Sequence, residues 1–125
     1  MSKRLDSTIL QEMHYAADRI VRRTHHSTLA DFLQDEDLQD IVLRQLTIIG
    51  ETTARISDNT KQRYPQIDWR RITGMRNFVV HEYFRVDFAA IWDVVINHLP
   101  PLLLDLPLVL AQVLADEQLR QTPSV

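Results

Sequence analysis

Four stretches of this chain carry apolar residues at three- and four-residue steps, and only two glycines occur in 125 residues. An all-β chain needs many tight turns, and tight turns draw heavily on glycine, so the fold is steered toward helices. Ile9, Met13, Ala16, Ala17, Ile20 and Val21 place one apolar face on a helix from about Ser7 to Arg23. Asp6 or Ser7 is the expected N-cap, and the polar run Thr24-His25-His26-Ser27-Thr28 ends the pattern. A second, longer helix is expected from Asp35 to about Gln62. Asp35, Glu36 and Asp37 favour the positive end of its dipole, and Leu38, Ile41, Val42, Ile48, Ile49 and Ile56 supply its apolar face. Pro65 prevents its continuation.

A third helix is expected to start at Asp68, with Trp69, Ile72, Met75 and Val79 as one buried stripe. Gly74 inside it costs about 1 kcal/mol relative to alanine. Close approach of another helix or of a ligand, or a tolerated surface position, would each account for it. The fourth helix begins at Asp87, with Phe88, Ile91, Trp92, Val95, Ile96 and Leu99 as its stripe. Pro100-Pro101 is expected to kink or restart it, a further helical piece covers Leu102 to Leu119, and the tail from about residue 120 to 125 is expected to fray. The predicted architecture is all-α, an antiparallel bundle of four to five helices forming a single domain over residues 1–125.

Charge and composition narrow the function classes. The net charge of −3 gives no global attraction to nucleic acid, so a role there needs a local basic patch. There is no cysteine, which removes disulfides and thiolate metal sites. The polar opening Met-Ser-Lys-Arg-Leu-Asp leads into no apolar signal region, so the expected location is cytoplasmic. The leucine-rich run from Leu99 to Ala115 is broken by Pro100, Pro101, Asp105, Pro107 and Gln112. It is shorter than the roughly 20 apolar residues that span a bilayer, and is read as core or interface with no membrane role.

The chemistry concentrates in Arg76-Asn77-Phe78-Val79-Val80-His81-Glu82-Tyr83. Arg76 offers a permanent cation with a planar fork of donors that matches a phosphate. His81 can give or take a proton near neutrality. Its apolar sequence neighbours give a bare imidazole few reasons to be there other than function. On a regular helix Arg76 and His81 stand about 140° apart. Either a wide π-type turn or an early helix end is therefore needed to bring them together. Asn77 and His81, four apart, share a face directly, so Asn77 can orient the ring or bind a sugar hydroxyl. RNA carries its own nucleophile, the 2′-hydroxyl, so one base and one cation suffice to cleave it without a metal. In-line transfer benefits from both a base and an acid, and a two-fold homodimer would bring two copies of Arg76 and His81 to one cleft.

The spacing Arg-x-x-x-x-His-x-Tyr resembles the signature of the HEPN ribonucleases, in particular the HepT-like toxins. The resemblance extends through Arg44-Gln45-Leu46-Thr47-Ile48-Ile49-Gly50-Glu51, Tyr64-Pro65-Gln66-Ile67-Asp68-Trp69-Arg70, Gly74-Met75-Arg76-Asn77, His81-Glu82-Tyr83-Phe84, Val86-Asp87 and Ile91-Trp92-Asp93-Val94-Val95 to Leu99-Pro100. It covers roughly residues 5 to 110. It implies a metal-independent endoribonuclease toxin with catalytic Arg76 and His81, Asn77 in support and no cofactor. It also implies a partner, a minimal nucleotidyltransferase (MNT-domain) antitoxin that transfers AMP from ATP to Tyr83. Each AMP would add negative charge and bulk beside the catalytic pair.

Arg70, Arg71 and Arg85, with Lys61 and Arg63 upstream, are candidate cations of an RNA-binding rim. His14, His25, His26 and His98 lack metal-ligand spacing and are read as surface or structural groups. Two other readings remain open on the sequence. One is a non-catalytic helical module that binds a nucleotide or a nucleotidyltransferase. The other is a substrate-binding subunit for an antibiotic nucleotidyltransferase.

Overall fold

The structure, a computed structural model, describes residues 5–77 and 86–121. The described residues form helices α1 (Asp6–Thr24), α2 (Leu29–Gln34), α3 (Glu36–Arg55), α4 (Asp58–Arg63), α5 (Trp69–Gly74) and α6 (Phe88–Asp93). A π-helical turn (Val94–His98) then leads into α7 (Leu99–Gln121). No strand occurs among them, and the all-α class follows.

α1 packs on both α3 and α7. Asp6 at its start meets Ser57, just beyond the end of α3, and Ser7 meets Glu117 near the end of α7. Both neighbours therefore run antiparallel to α1. The core between them consists of Leu10, Met13, Ala17 and Ile20 from α1, Val42, Leu46 and Ile49 from α3, and Leu99, Leu106 and Val109 from α7, all essentially without solvent contact. Each fully buried Leu, Ile, Met or Val contributes about 1.5–3 kcal/mol relative to exposure.

The start of α1 differs from the sequence expectation. Neither Asp6 nor Ser7 is its N-cap; the cap position is Leu5, which provides no side-chain bond. Instead the Glu117 carboxylate accepts from the Ser7 amide at 3.2 Å and from its hydroxyl at 2.6 Å. A residue 110 positions away does the work of a local cap. Asp6 meanwhile accepts from the Ser57 amide at 3.2 Å, and from the hydroxyls of Ser57 and Thr60 at 2.6 Å each. Asp6→Ala is expected to lower the unfolding free energy by about 1–3 kcal/mol, seen as a lower urea midpoint with an unchanged denaturant slope.

The same contact corrects the second predicted helix, which is not continuous to Gln62. Ile56 and Ser57 take extended conformations, and Ser57 opens α4 by accepting from the Thr60 amide. A serine that can bond its neighbouring backbone competes with the helix, and Asp6 holds it in the broken form. Asp35 caps α3 through the Leu38 amide, as its acidic start predicts. Helix α2 has no counterpart in the predicted elements. Its signal is Thr28-Leu29-Ala30-Asp31, a reciprocal capping box. The helix drives Phe32 into the core, stacked on Trp92 with ring centres 5.1 Å apart.

The proline pair causes neither a kink nor a restart: α6, the π turn and α7 form one helix of 34 residues from Phe88 to Gln121. The Leu99 amide reaches the Val94 carbonyl across the wide turn. Pro100 and Pro101 cannot donate, which strips the Ile96 and Asn97 carbonyls of helical partners. Both residues are exposed, where water can serve them. Val95 is buried as the stripe predicts, but at the wide turn Val94 is buried as well and Ile96, expected inside, is 49% exposed. The long helix is apolar enough by length and composition to cross a membrane. Leu99, Leu102, Leu106, Val109 and Val113 are buried in the bundle, as expected for a core role, while Leu104, Leu108 and Leu119 stand exposed.

Candidate active site

Helix α5 is fixed from three sides. Asp68 caps it through the Arg71 amide at 3.1 Å. The Trp69 indole donates to the Tyr64 carbonyl at 3.0 Å. Trp69, Ile72 and Met75 bury one face of the segment, three of the four residues of the predicted stripe. Val79, the fourth, lies outside the described residues. With that face committed to the core, Arg76 and Asn77 emerge with exposed side chains.

The backbone of Arg76 is nevertheless packed tightly against α3. A Cβ placed on Gly50 would lie 2.7 Å from the Arg76 nitrogen, 2.8 Å from its Cβ and 3.1 Å from the Thr73 carbonyl oxygen. Only glycine allows the two segments this close. Gly74, where the sequence left close approach and a surface position equally open, has nothing within 4 Å of an added Cβ. Gly50, not Gly74, is therefore the contact glycine. Its signal is an isolated glycine amid β-branched and leucine neighbours in the middle of a helix, a costly placement without a packing reason.

His81, Tyr83 and Arg85 lie outside the described residues, and so does the wide turn expected between Arg76 and His81. Among the described residues, a π turn occurs at Val94–His98. Arg70 and Arg71 are exposed on α5. Arg71 Nη1 donates to His98 Nδ1 at 3.1 Å, and its Nε lies 3.7 Å from Asp68 Oδ2. His98 Nε2 lies 3.6 Å from Asp93 Oδ2, and Asn97 donates to Asp93 Oδ1 at 2.6 Å. His98 thus has the structural role that its lack of ligand spacing suggested. Arg63 does not join a basic rim: it pairs with Asp116 at 2.6 Å, where α4 meets α7. Among the described residues no group of His, Asp and Glu could hold a metal ion.

The matches with known proteins agree with this arrangement. Residues 13–107 match the family model described as Ribonuclease HepT-like. A protein of Thermococcus cleftensis named "Probable ribonuclease HepT" is 35% identical over 100 residues, covering 80% of this chain and 91% of that protein. A Methanocaldococcus jannaschii protein named "Putative RNase MJ0127" is 35% identical over 81 residues, covering 65% of this chain and 67% of the relative. No solved structure matches. The described residues form an all-α bundle, and the chain belongs to the HepT-like ribonuclease family.

Proposed function

We propose that this protein is the toxin of a toxin–antitoxin pair, an endoribonuclease that cleaves RNA without a metal. The 2′-hydroxyl attacks the adjacent phosphorus, the bond to the 5′-oxygen of the next nucleotide breaks, and a 2′,3′-cyclic phosphate remains. His81 moves the proton, and Arg76 stabilises the charge that develops on the phosphorane oxygens. Asn77 supports the ring or a sugar hydroxyl, and Arg70, Arg71 and Arg85 contact the strand. The observation that carries this reading is the placement of Arg76. Its backbone is locked against Gly50 while its guanidinium is open to solvent. A cation held on a rigid base with an exposed side chain suits a catalytic group better than a structural one.

Two protomers related by a two-fold axis supply a second His81 to each cleft, so that one ring acts as base and the other as acid. A nucleotidyltransferase antitoxin silences the site by transferring AMP to the Tyr83 hydroxyl. The new phosphodiester then competes with RNA for the arginine.

The test uses a single-stranded RNA and its all-deoxy counterpart in excess EDTA. Cleavage of the RNA alone, ending in cyclic phosphates, is expected. Cleavage that stops with EDTA, or that leaves 5′-hydroxyl-free linear phosphate ends, defeats the metal-free transesterification. For the antitoxin, intact mass after co-expression with an MNT-domain nucleotidyltransferase is expected to rise by whole AMP units that vanish in Tyr83→Phe.

A further inference from the structure

Asp105 is the one acidic residue in the apolar run Leu99–Ala115. It is half-buried yet caps no helix and forms no ion pair or hydrogen bond among the described residues. A half-buried carboxylate with no partner among the described residues is available to a donor from outside the chain. Asp105 follows His98 by seven residues, two helical turns, and so falls on the same face. It lines a cleft of about 370 Å³ between α5 and the π turn, together with Asp68, Arg71, Met75, Asn97 and His98. A second lobe of about 350 Å³ continues the cleft past Gly74, sharing Arg71, Met75 and His98. The absence of a side chain at Gly74 leaves that passage open.

The charges of the lining disfavour a phosphate as the occupant. Among the described residues the two lobes are lined by three carboxylates, Asp68, Asp93 and Asp105, and one permanent cation, Arg71. A guanidinium only donates, so the Arg71–His98 bond requires a lone pair on Nδ1. The apolar floor is firm, with Ile72, Met75 and Leu102 each at most 5% exposed. A flat, apolar-faced group with both donors and acceptors on its edge fits such a cleft, and a nucleobase is such a group.

Resting on the ribonuclease reading, we infer that this cleft is a guanine-binding subsite that selects where the RNA is cut. Guanine is the base that offers a carbonyl acceptor beside two N–H donors on one edge. Its N1–H and N2–H groups donate to the Asp105 carboxylate, and its O6 accepts from Arg71. The face of the base rests on Met75 and Leu102. Asp68 and His98 hold Arg71 in place, so they act as positioning residues. Arg71 and Arg76 are five residues apart, about 7–8 Å along a helix. The selected guanine is thus close in the strand to the phosphate that Arg76 engages.

The test is a nuclear magnetic resonance titration of the full-length protein with guanosine, adenosine, cytidine and uridine 5′-monophosphates, followed at the Met75 methyl and the Asn97 side-chain amide. The expected result is a shift of both signals, with guanosine monophosphate bound at least about tenfold more tightly than the other three. That preference should disappear in Asp105→Asn and in Arg71→Gln, each verified as folded by circular dichroism. Equal affinities, a preference for another base, unmoved Met75 and Asn97 signals, or a guanine preference that survives Asp105→Asn overturns the proposal. Binding is read without cleavage, so the two readings fail separately. A protein that binds guanine here but cuts no RNA refutes the ribonuclease assignment, and one that cuts RNA without guanine binding refutes the subsite.

Discussion

Arg76→Ala is expected to leave the bundle folded and to slow RNA cleavage by about 10²–10³-fold. The fold survives because the side chain is exposed and makes no ion pair or hydrogen bond among the described residues. What Gly50 packs against is the backbone and Cβ of residue 76, and alanine keeps both. The rate falls because the phosphorane loses its forked donor. Arg76→Lys keeps the charge without the fork, so an intermediate rate is expected. His81→Ala is expected to cost about 10²–10⁴-fold. The double variant is expected to be little worse than the slower single variant, since residues that act as a unit do not add. Single-turnover cleavage of a labelled RNA measures all four. Full activity in folded His81→Ala would remove its assigned role. Loss of cooperative unfolding in Arg76→Ala would make the arginine a structural group.

Gly50→Val is expected to destabilise the protein by more than about 3 kcal/mol, and Gly50→Ala by about 1–3 kcal/mol. Two effects oppose each other at this site. Alanine gains about 1 kcal/mol of helix propensity over glycine, but its Cβ would sit 2.7 Å from a backbone nitrogen and 2.8 Å from another Cβ. Neither atom is the tip of a flexible side chain, so a helix must move, and the steric term wins. Valine adds two methyl groups to the same collision. The displaced residue is Arg76, so Gly50→Ala should lose more activity than its unfolded fraction accounts for. Gly74→Ala is the matched control. It meets nothing within 4 Å, and a gain of about 0.5–1 kcal/mol is expected. Urea titrations monitored by tryptophan fluorescence measure these changes. A Gly50→Ala protein as stable and as active as the parent would show that the close approach is not required.

The two classes of expectation met different fates for physical reasons. Helices α1 and α3 and the caps Asp68 and Asp87 were legible, because apolar periodicity and capping act within a few residues. The break at Ile56-Ser57 was not, because an aspartate 51 positions earlier holds it. The exposure of Ile96 was not, because a π turn rotates every later side chain by part of a turn. The candidate chemistry at Arg76 and Asn77 was legible as residue types and spacing. The second network, Arg71 with His98 and Asp93, was not, since its members lie on elements separated by 27 residues.

By itself the sequence determined the helical class and the core-facing residues of the main helices, and it named the candidate stretch from Arg76 to Tyr83. All of these are read from spacings shorter than a few helical turns. Tertiary structure alone decided which glycine is a contact, which arginines are engaged in ion pairs, and which aspartate lines the cleft beside Arg71. Those outcomes depend on distances between elements far apart in the chain, and such distances are set only when the apolar faces have closed on one another.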